Sequence, residues 1–75
     1  MKIINTDQEI MGGAPVFDGT RVPIKNLFDY LEDGGTIEGF LEDFPTVHRQ
    51  QVMGLLELSQ KMLSVSTLMF NESFA

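Results

Sequence analysis

The chain has 75 residues, a net charge of −6 at pH 7 and no cysteine. Its length allows one domain at most, and a domain of this size buries only about 60% of its unfolded surface. The missing cysteine excludes disulfides and a cysteine zinc site, and the acidity argues against nonspecific nucleic-acid binding. No stretch approaches the roughly 18 apolar residues of a membrane span, and the start MKIINTDQEI lacks the apolar core of a signal peptide. We therefore expect a cytoplasmic protein with no membrane contact.

The segment GGAPVFDGTRVPI, residues 12–24, predicts a very short β-hairpin. Asp18-Gly19 is favoured in two-residue type I′ turns, and short β-type runs lie on both sides of it. Such a turn sets two cross-strand pairs, Phe17 with Thr20 and Val16 with Arg21. The flanking prolines cannot donate to a ladder and limit the hairpin to a few residues.

Arg21 would have a well-defined position on this hairpin. Two roles are open for it. It could bond a carboxylate such as Asp18 or the carboxyl end of a helix, which is a structural role. It could instead be presented to an acidic site on a partner protein, where its planar fork binds carboxylates in two places.

Two short helices are predicted after the hairpin. Apolar residues recur at helical spacing from Ile24 to Leu31, and Gly34 is the expected left-handed stop. Thr36 is the expected N-cap of the next helix, and Pro45 ends it. These helices carry an acidic block that is either a solvated face or a docking face for a basic partner; its members are Asp29, Glu32, Asp33, Glu38, Glu42 and Asp43.

A third helix is predicted from about residue 49 to residue 64. Its expected core stripe is Val52, Leu55, Leu56, Met62 and Leu63. A second stripe follows alternating three- and four-residue steps and forms a heptad-like seam: Leu55, Leu58, Met62, Val65 and Met69. Either a small domain buries most of this helix, or one side is core and the other side receives a partner.

Two short helices before a longer one are the order of helix-turn-helix folds, in which the start of the last helix meets base edges. The candidate DNA-binding residues here are Thr46, His48, Arg49, Gln50 and Gln51. Arginine suits guanine or phosphate, and glutamine amides suit adenine. Ordinary solvent exposure of a polar first turn is the alternative interpretation.

Catalysis is not expected. The single histidine and the absence of cysteine leave no recognisable nucleophile–base pair, and His48 fits a helix cap or a surface position. The adjacent acidic pairs diverge around a helix, which is poor metal geometry, so we expect neither metal nor cofactor.

From Ile4 to about Leu63 the sequence resembles the bacterial domain-of-unknown-function family 433, whose members are similar to VapB-type antitoxins. The resemblance rests on GGAPVFDGTRVPI, LEDGGTIEGFLEDFP and VHRQQV. It implies a mainly α fold, in which a short N-terminal β-hairpin precedes a three-helix homeodomain-like or winged-helix-like helix-turn-helix. It also implies a homodimer and a neighbouring PIN-like nuclease toxin. We expect the hairpins of two chains to meet in the dimer.

The chain departs from the family pattern at three places. Lys25 stands where a helix cap is usually Ser, and His48 stands where the last helix usually has Thr. Gln50 and Gln51 replace a usual acidic pair, which makes the start of that helix more compatible with DNA.

The chain divides into a hairpin plus helix-turn-helix domain, residues 1–63, and an apolar tail, residues 64–75. The tail either folds back onto the domain or a dimer mate, or orders against the toxin. The candidate partner-binding residues are Arg21, Leu58, Met62, Val65, Leu68, Met69, Phe70 and Phe74. We expect an antitoxin of a type II toxin–antitoxin pair that binds its own operator as a dimer. The alternative is a protein-interaction module of the same fold without DNA binding.

Overall fold

The computed structural model describes the backbone of residues 1–74 and the side chains of residues 1–64. Two short strands precede three helices. The strands are β1 (Ile4–Asn5) and β2 (Val16–Phe17), and a 3-10 turn (Met11–Gly13) lies between them. The helices are α1 (Ile24–Glu32), α2 (Ile37–Asp43) and α3 (Arg49–Phe74). The predicted mainly α fold, with a short two-strand antiparallel hairpin before the helices, is confirmed.

The strand that pairs with β2 is β1, which the sequence analysis did not predict. The pairing is antiparallel, with Ile4 opposite Phe17 and Asn5 opposite Val16. The ladder is prolonged by a bond from the Asp18 amide to the Ile3 carbonyl, at 2.9 Å. Two residues per strand provide little periodicity, so the sequence pattern of β1 resembles that of a loop.

The turn after β2 differs from the predicted type I′ turn. Gly19 has a φ of 79°, but Asp18 does not have the positive φ that a type I′ turn requires at both central residues. The chain on the far side pairs two residues later than expected, so Val16 lies opposite Pro23 instead of Arg21. The Thr20 hydroxyl explains the shift because it donates to the Phe17 carbonyl at 2.8 Å and accepts the Val22 amide at 3.0 Å. Thr20 thus closes the loop by its side chain.

The signals predicted for the ends of α1 and α2 are confirmed. Helix α1 begins directly after Pro23, and Gly34 follows it in the left-handed region with a φ of 89°. The Thr36 hydroxyl caps α2 by accepting the Gly39 amide at 3.0 Å. Helix α2 ends before Pro45, as the restriction on the preceding residue requires.

The core is centred on Phe40, which is fully buried. Its ring centroid lies 6.0 Å from that of Phe17, 5.7 Å from that of Tyr30 and 4.8 Å from that of Phe44. Tilted and edge-on rings at these separations attract one another beyond the area that they bury. The hairpin and all three helices therefore pack on one small core, whose fully buried side chains are Val16, Phe17, Leu27, Phe40 and Val52.

Two glycines make room for the Tyr30 ring. A Cβ at Gly35 would lie 2.2 Å from a ring carbon of Tyr30 and 2.7 Å from its carbonyl oxygen. A Cβ at Gly39 would lie 2.6 Å from the Tyr30 hydroxyl oxygen. Glycine weakens a helix by about 1 kcal/mol relative to alanine. At position 39 its lack of a side chain leaves the space that the Tyr30 ring fills.

Helix α3 is longer than predicted and is buried only near its start. Val52 and Leu55 belong to the core, but every described side chain from 60 to 64 is exposed. Met62 and Leu63 were predicted as core and are about two-thirds exposed, at 64% and 65%. That prediction is wrong because the hairpin and the two short helices do not reach this part of α3. No helix in the described part of the chain combines the length and apolar character needed to cross a membrane.

Candidate interaction surfaces

Gln51 is not available at the start of α3 as a base-reading residue. It is 2% exposed, and both ends of its amide are in use. Its Oε1 accepts the His48 amide at 2.9 Å, and its Nε2 donates to the Asp18 carbonyl at 2.9 Å. The first bond is half of a capping box, in which the third helical residue reaches back to the N-cap amide. Gln51 therefore ties α3 to the hairpin turn, which corrects its predicted role in DNA binding.

Arg49 is exposed but pairs with Glu38 of α2. The hydrogen bond from Arg49, followed by its charge, lowers the pKa of the Glu38 carboxyl. The same bond raises the pKa of the Arg49 guanidinium. Because both side chains are in water, a phosphate could compete with Glu38 for Arg49. Contact between Arg49 and DNA would therefore require the ion pair between Arg49 and Glu38 to break.

The remaining candidates for base contact lie on the surface. Thr46, His48 and Gln50 are all exposed, and among residues 1–64 the side chain of none of the three makes a hydrogen bond, although the His48 backbone amide donates to Gln51. These side chains present hydrogen-bond donors and acceptors. They form a polar face around the first turn of α3.

Arg21 lies in a depression between the hairpin turn and the loop before α3. The depression has a volume of about 720 Å³ and is lined by Asn5, Ile10, Asp18, Gly19, Thr20, Arg21, Val22 and Thr46. It brings together Arg21, a predicted protein-binding residue, and Thr46, a predicted DNA-binding residue. Within the described side chains, Arg21 makes neither an ion pair nor a hydrogen bond. The Asp18 carboxylate lies 3.9 Å from the Lys2 amine instead, so the predicted bond between Arg21 and Asp18 is not formed.

The acidic block follows the exposed side of α1 and α2. Lys25 and Arg49 each engage one of its members, Asp29 at 2.6 Å and Glu38. Glu32, Asp33, Glu42 and Asp43 are exposed and make no ion pair among the described residues. Nor do three or more His, Cys, Asp or Glu side chains converge as a metal site in the part of the chain that the structure describes.

Apolar side chains of α3 that were predicted to bind a partner are exposed where the structure describes them. Leu58 is 46% exposed and Met62 is 64% exposed, and Leu63, which was predicted as core, is exposed beside them. The other predicted residues of this surface lie outside the residues with described side chains, and they are Val65, Leu68, Met69, Phe70 and Phe74. Large apolar side chains that recur along one open helix are typical of a face that meets another protein.

An apolar groove between the hairpin and α1 was missed by the sequence analysis. Its volume is about 820 Å³, and Ile4, Pro15, Pro23 and Phe28 line its apolar part. Lys25, Asp29 and Glu32 also line it. The groove depends on the position of β1, so no periodic signal within α1 could have revealed it.

Charge separates the two parts of the molecule. Residues 1–48 contain nine acidic and three basic residues, a net charge of −6, whereas residues 49–75 contain two of each and sum to zero. The domain that precedes α3 is therefore acidic, and α3 itself is neutral.

These features define the class of protein: a small domain of one hairpin and three helices. The first turn of its last helix is polar and exposed, and the same helix continues beyond the core with exposed apolar side chains. Residues 4–57 match the family model described as a protein of unknown function (DUF433). The chain belongs to this DUF433 family.

One curated relative is the uncharacterized protein y4eO of Sinorhizobium fredii (strain NBRC 101917 / NGR234). It is 31% identical over 51 residues, which cover 68% of this chain and 23% of the relative. The chain thus spans about a quarter of the length of that relative. No solved structure matches the chain significantly.

Proposed function

We propose that this chain is the antitoxin of a type II toxin–antitoxin pair and that it neutralises a PIN-like nuclease toxin. The observation that carries the proposal is the uncovered apolar face of α3. The nuclease partner is what the family resemblance implies, and the homodimer belongs to the same implication.

The packing of α3 supports a protein-binding role for its second half. Short helices outside a domain are only marginally stable in water, and apolar burial supplies most of a helix's stability in proteins. Leu58, Met62 and Leu63 keep about half or more of their surface in water. Removing such surface from water contributes about 25 cal/mol per Å² of apolar area, before the entropic cost of association is subtracted. A partner groove that accepts an amphipathic helix fits this face.

The test is inhibition of RNA cleavage by the proposed partner, a PIN-like nuclease encoded beside this chain. The seam variant carries Leu58→Asp and Met62→Asp. The control variant carries Gln60→Asp and Ser64→Asp, which add the same charge to exposed positions of the same helix. We expect the seam variant to neutralise about tenfold less well or worse, as loss of interface anchors does, and the control to act as the wild type.

Two results would count against this proposal. Equal neutralisation by the seam and control variants would mean that the toxin binds another surface. The exposed acidic side of α1 and α2 would then be the next candidate. A chain that never binds the neighbouring nuclease would leave the antitoxin function itself without support. Far-ultraviolet circular dichroism checks that both variants keep the wild-type helix content.

Operator binding is the second candidate function, and the position of Arg21 favours it. Arg21, which makes no ion pair within residues 1–64, shares a depression with Thr46, next to the first turn of α3. A phosphate could lie against Arg21 while Gln50 faces the bases. The acidity of the domain and the burial of Gln51 oppose this function. They favour the alternative, a protein-interaction module without DNA binding.

A mobility-shift titration with the upstream region of the chain's own operon separates the two alternatives. If DNA is bound, Arg21→Ala should weaken binding and reduce its salt dependence, because one phosphate contact is lost. Lys61→Ala, on the far part of α3, is the matched control and should change neither. No shift at low salt with the wild-type chain would favour the interaction module.

A further inference from the structure

One face of α3 changes from core to open surface along its length. Leu55, Leu58 and Met62 follow three- and four-residue steps, so they lie on one side of the helix. Leu55 is 4% exposed, Leu58 is 46% exposed and Met62 is 64% exposed. The seam therefore extends beyond the domain that covers its beginning. Helix α3 continues to Phe74, and the seam positions continue in the sequence at Val65 and Met69.

The lack of charge along this seam indicates which kind of partner it binds. An acidic or basic partner face would find no counter-charge along it, because Leu58, Met62, Val65 and Met69 are all uncharged and α3 sums to zero. A helix with the same pattern and no net charge is a matching partner, since the apolar positions of two such helices interdigitate. A second copy of this chain supplies that helix.

We infer that, in the free protein, two copies pair through the α3 seam in antiparallel orientation. The acidic domains decide the orientation. Each carries a charge of −6 outside α3, and an antiparallel pair places the two domains at opposite ends of the paired helices. A parallel pair would bring them side by side, where like charges repel. The interface is isologous and closes as a twofold dimer.

The pairing also regulates the proposed antitoxin function, and this part rests on that function. The toxin and the second copy use the same seam, so toxin binding requires the paired helices to separate. The free chain is then the paired form, and the neutralising form is a single chain bound to the nuclease.

Sedimentation equilibrium of the full chain over a micromolar concentration series tests the pairing without any nuclease. We expect the wild type and the Gln60→Asp, Ser64→Asp control to dimerise. The Leu58→Asp, Met62→Asp variant should remain monomeric with unchanged helix content. Added salt should strengthen the dimer, because salt screens the repulsion of the acidic domains while the seam has no charges to lose.

Three results would overturn the inference. A monomeric wild type excludes pairing, and a dimer that persists in the seam variant places the interface elsewhere, with the hairpins as the next candidate. A dimer that weakens in salt indicates ionic contacts. The chain lacks cysteine, so a single Leu58→Cys reports orientation: self-crosslinking through a disulfide would contradict the antiparallel pair.

Adding the nuclease tests the regulatory part separately. We expect it to convert the dimer into a complex with one antitoxin chain per nuclease. A nuclease that binds the intact dimer would refute the competition between the toxin and the second copy for the seam. It would leave the pairing of the two copies unaffected. A nuclease that does not bind at all would refute the proposed function, while the sedimentation results would still decide the pairing.

Discussion

The two halves of α3 have the same helical period but opposite surroundings. In the first half, Gln51, Val52 and Leu55 are buried against the hairpin and the short helices. In the second half, Met62 and Leu63 have the same apolar character and lie in water. An apolar stripe on a helix therefore predicts a face that is buried against something. The positions of the neighbouring elements decide whether that face is buried within the same chain.

The largest effect is expected at the centre of the core. Phe40→Ala should cost about 3–5 kcal/mol, as aromatic-to-alanine changes in cores do, because Phe40 contacts three other rings. Met62→Ala should leave the unfolding free energy nearly unchanged. Urea unfolding of dilute protein measures both. A large cost at Met62 would mean that the second half of α3 is covered within one chain.

Gln51 and Gln50 form the next comparison, between neighbours of the same residue type. Gln51→Ala removes the bonds to His48 and Asp18 and should cost about 1–3 kcal/mol. Gln50 is exposed, so Gln50→Ala should be close to neutral. Thermal unfolding of both variants checks this. Equal stabilities would contradict the anchoring of α3 to the hairpin through Gln51.

Gly39 allows a test of close packing within the covered region. In the wild type, Gly39→Ala places a Cβ against the Tyr30 hydroxyl and should not stabilise the protein. In a Tyr30→Phe background that oxygen is absent, so the alanine should recover up to about 1 kcal/mol of helix propensity. A double-mutant cycle by urea unfolding measures the coupling. Additive effects would show that the ring and the glycine are independent.

The smallest effect concerns pH. Arg49 lowers the folded-state pKa of Glu38, so the pair stabilises the protein above the ordinary glutamate pKa. That contribution is lost as pH falls through the lowered pKa. Because both groups are exposed, the change in melting temperature should be small. The difference in melting temperature between the wild type and Glu38→Gln should therefore shrink toward zero as pH falls from neutral through the lowered Glu38 pKa. A difference that grows on acidification would contradict the sign.

Local signals were sufficient for the short helices. The helical spacing from Ile24, the cap at Thr36 and the stop at Gly34 all act within a few residues, and the structure confirms each. For α3, the seam allowed two interpretations: burial of most of the helix within the domain, or one buried side and one side that is exposed to a partner. The role of Gln51 was predicted wrongly because its two partners are a local amide and a distant carbonyl at Asp18.

The sequence by itself determined the order of a hairpin and three helices, the ends of α1 and α2, the acidity of the domain and the neutrality of α3. Those properties depend on residues close together in the chain or on composition alone. Only the tertiary structure decided that Ile4–Asn5 pairs with β2, that Gln51 is buried and that the seam opens after Leu55. Each of these depends on which distant segment reaches a given side chain, and a linear pattern does not contain that distance.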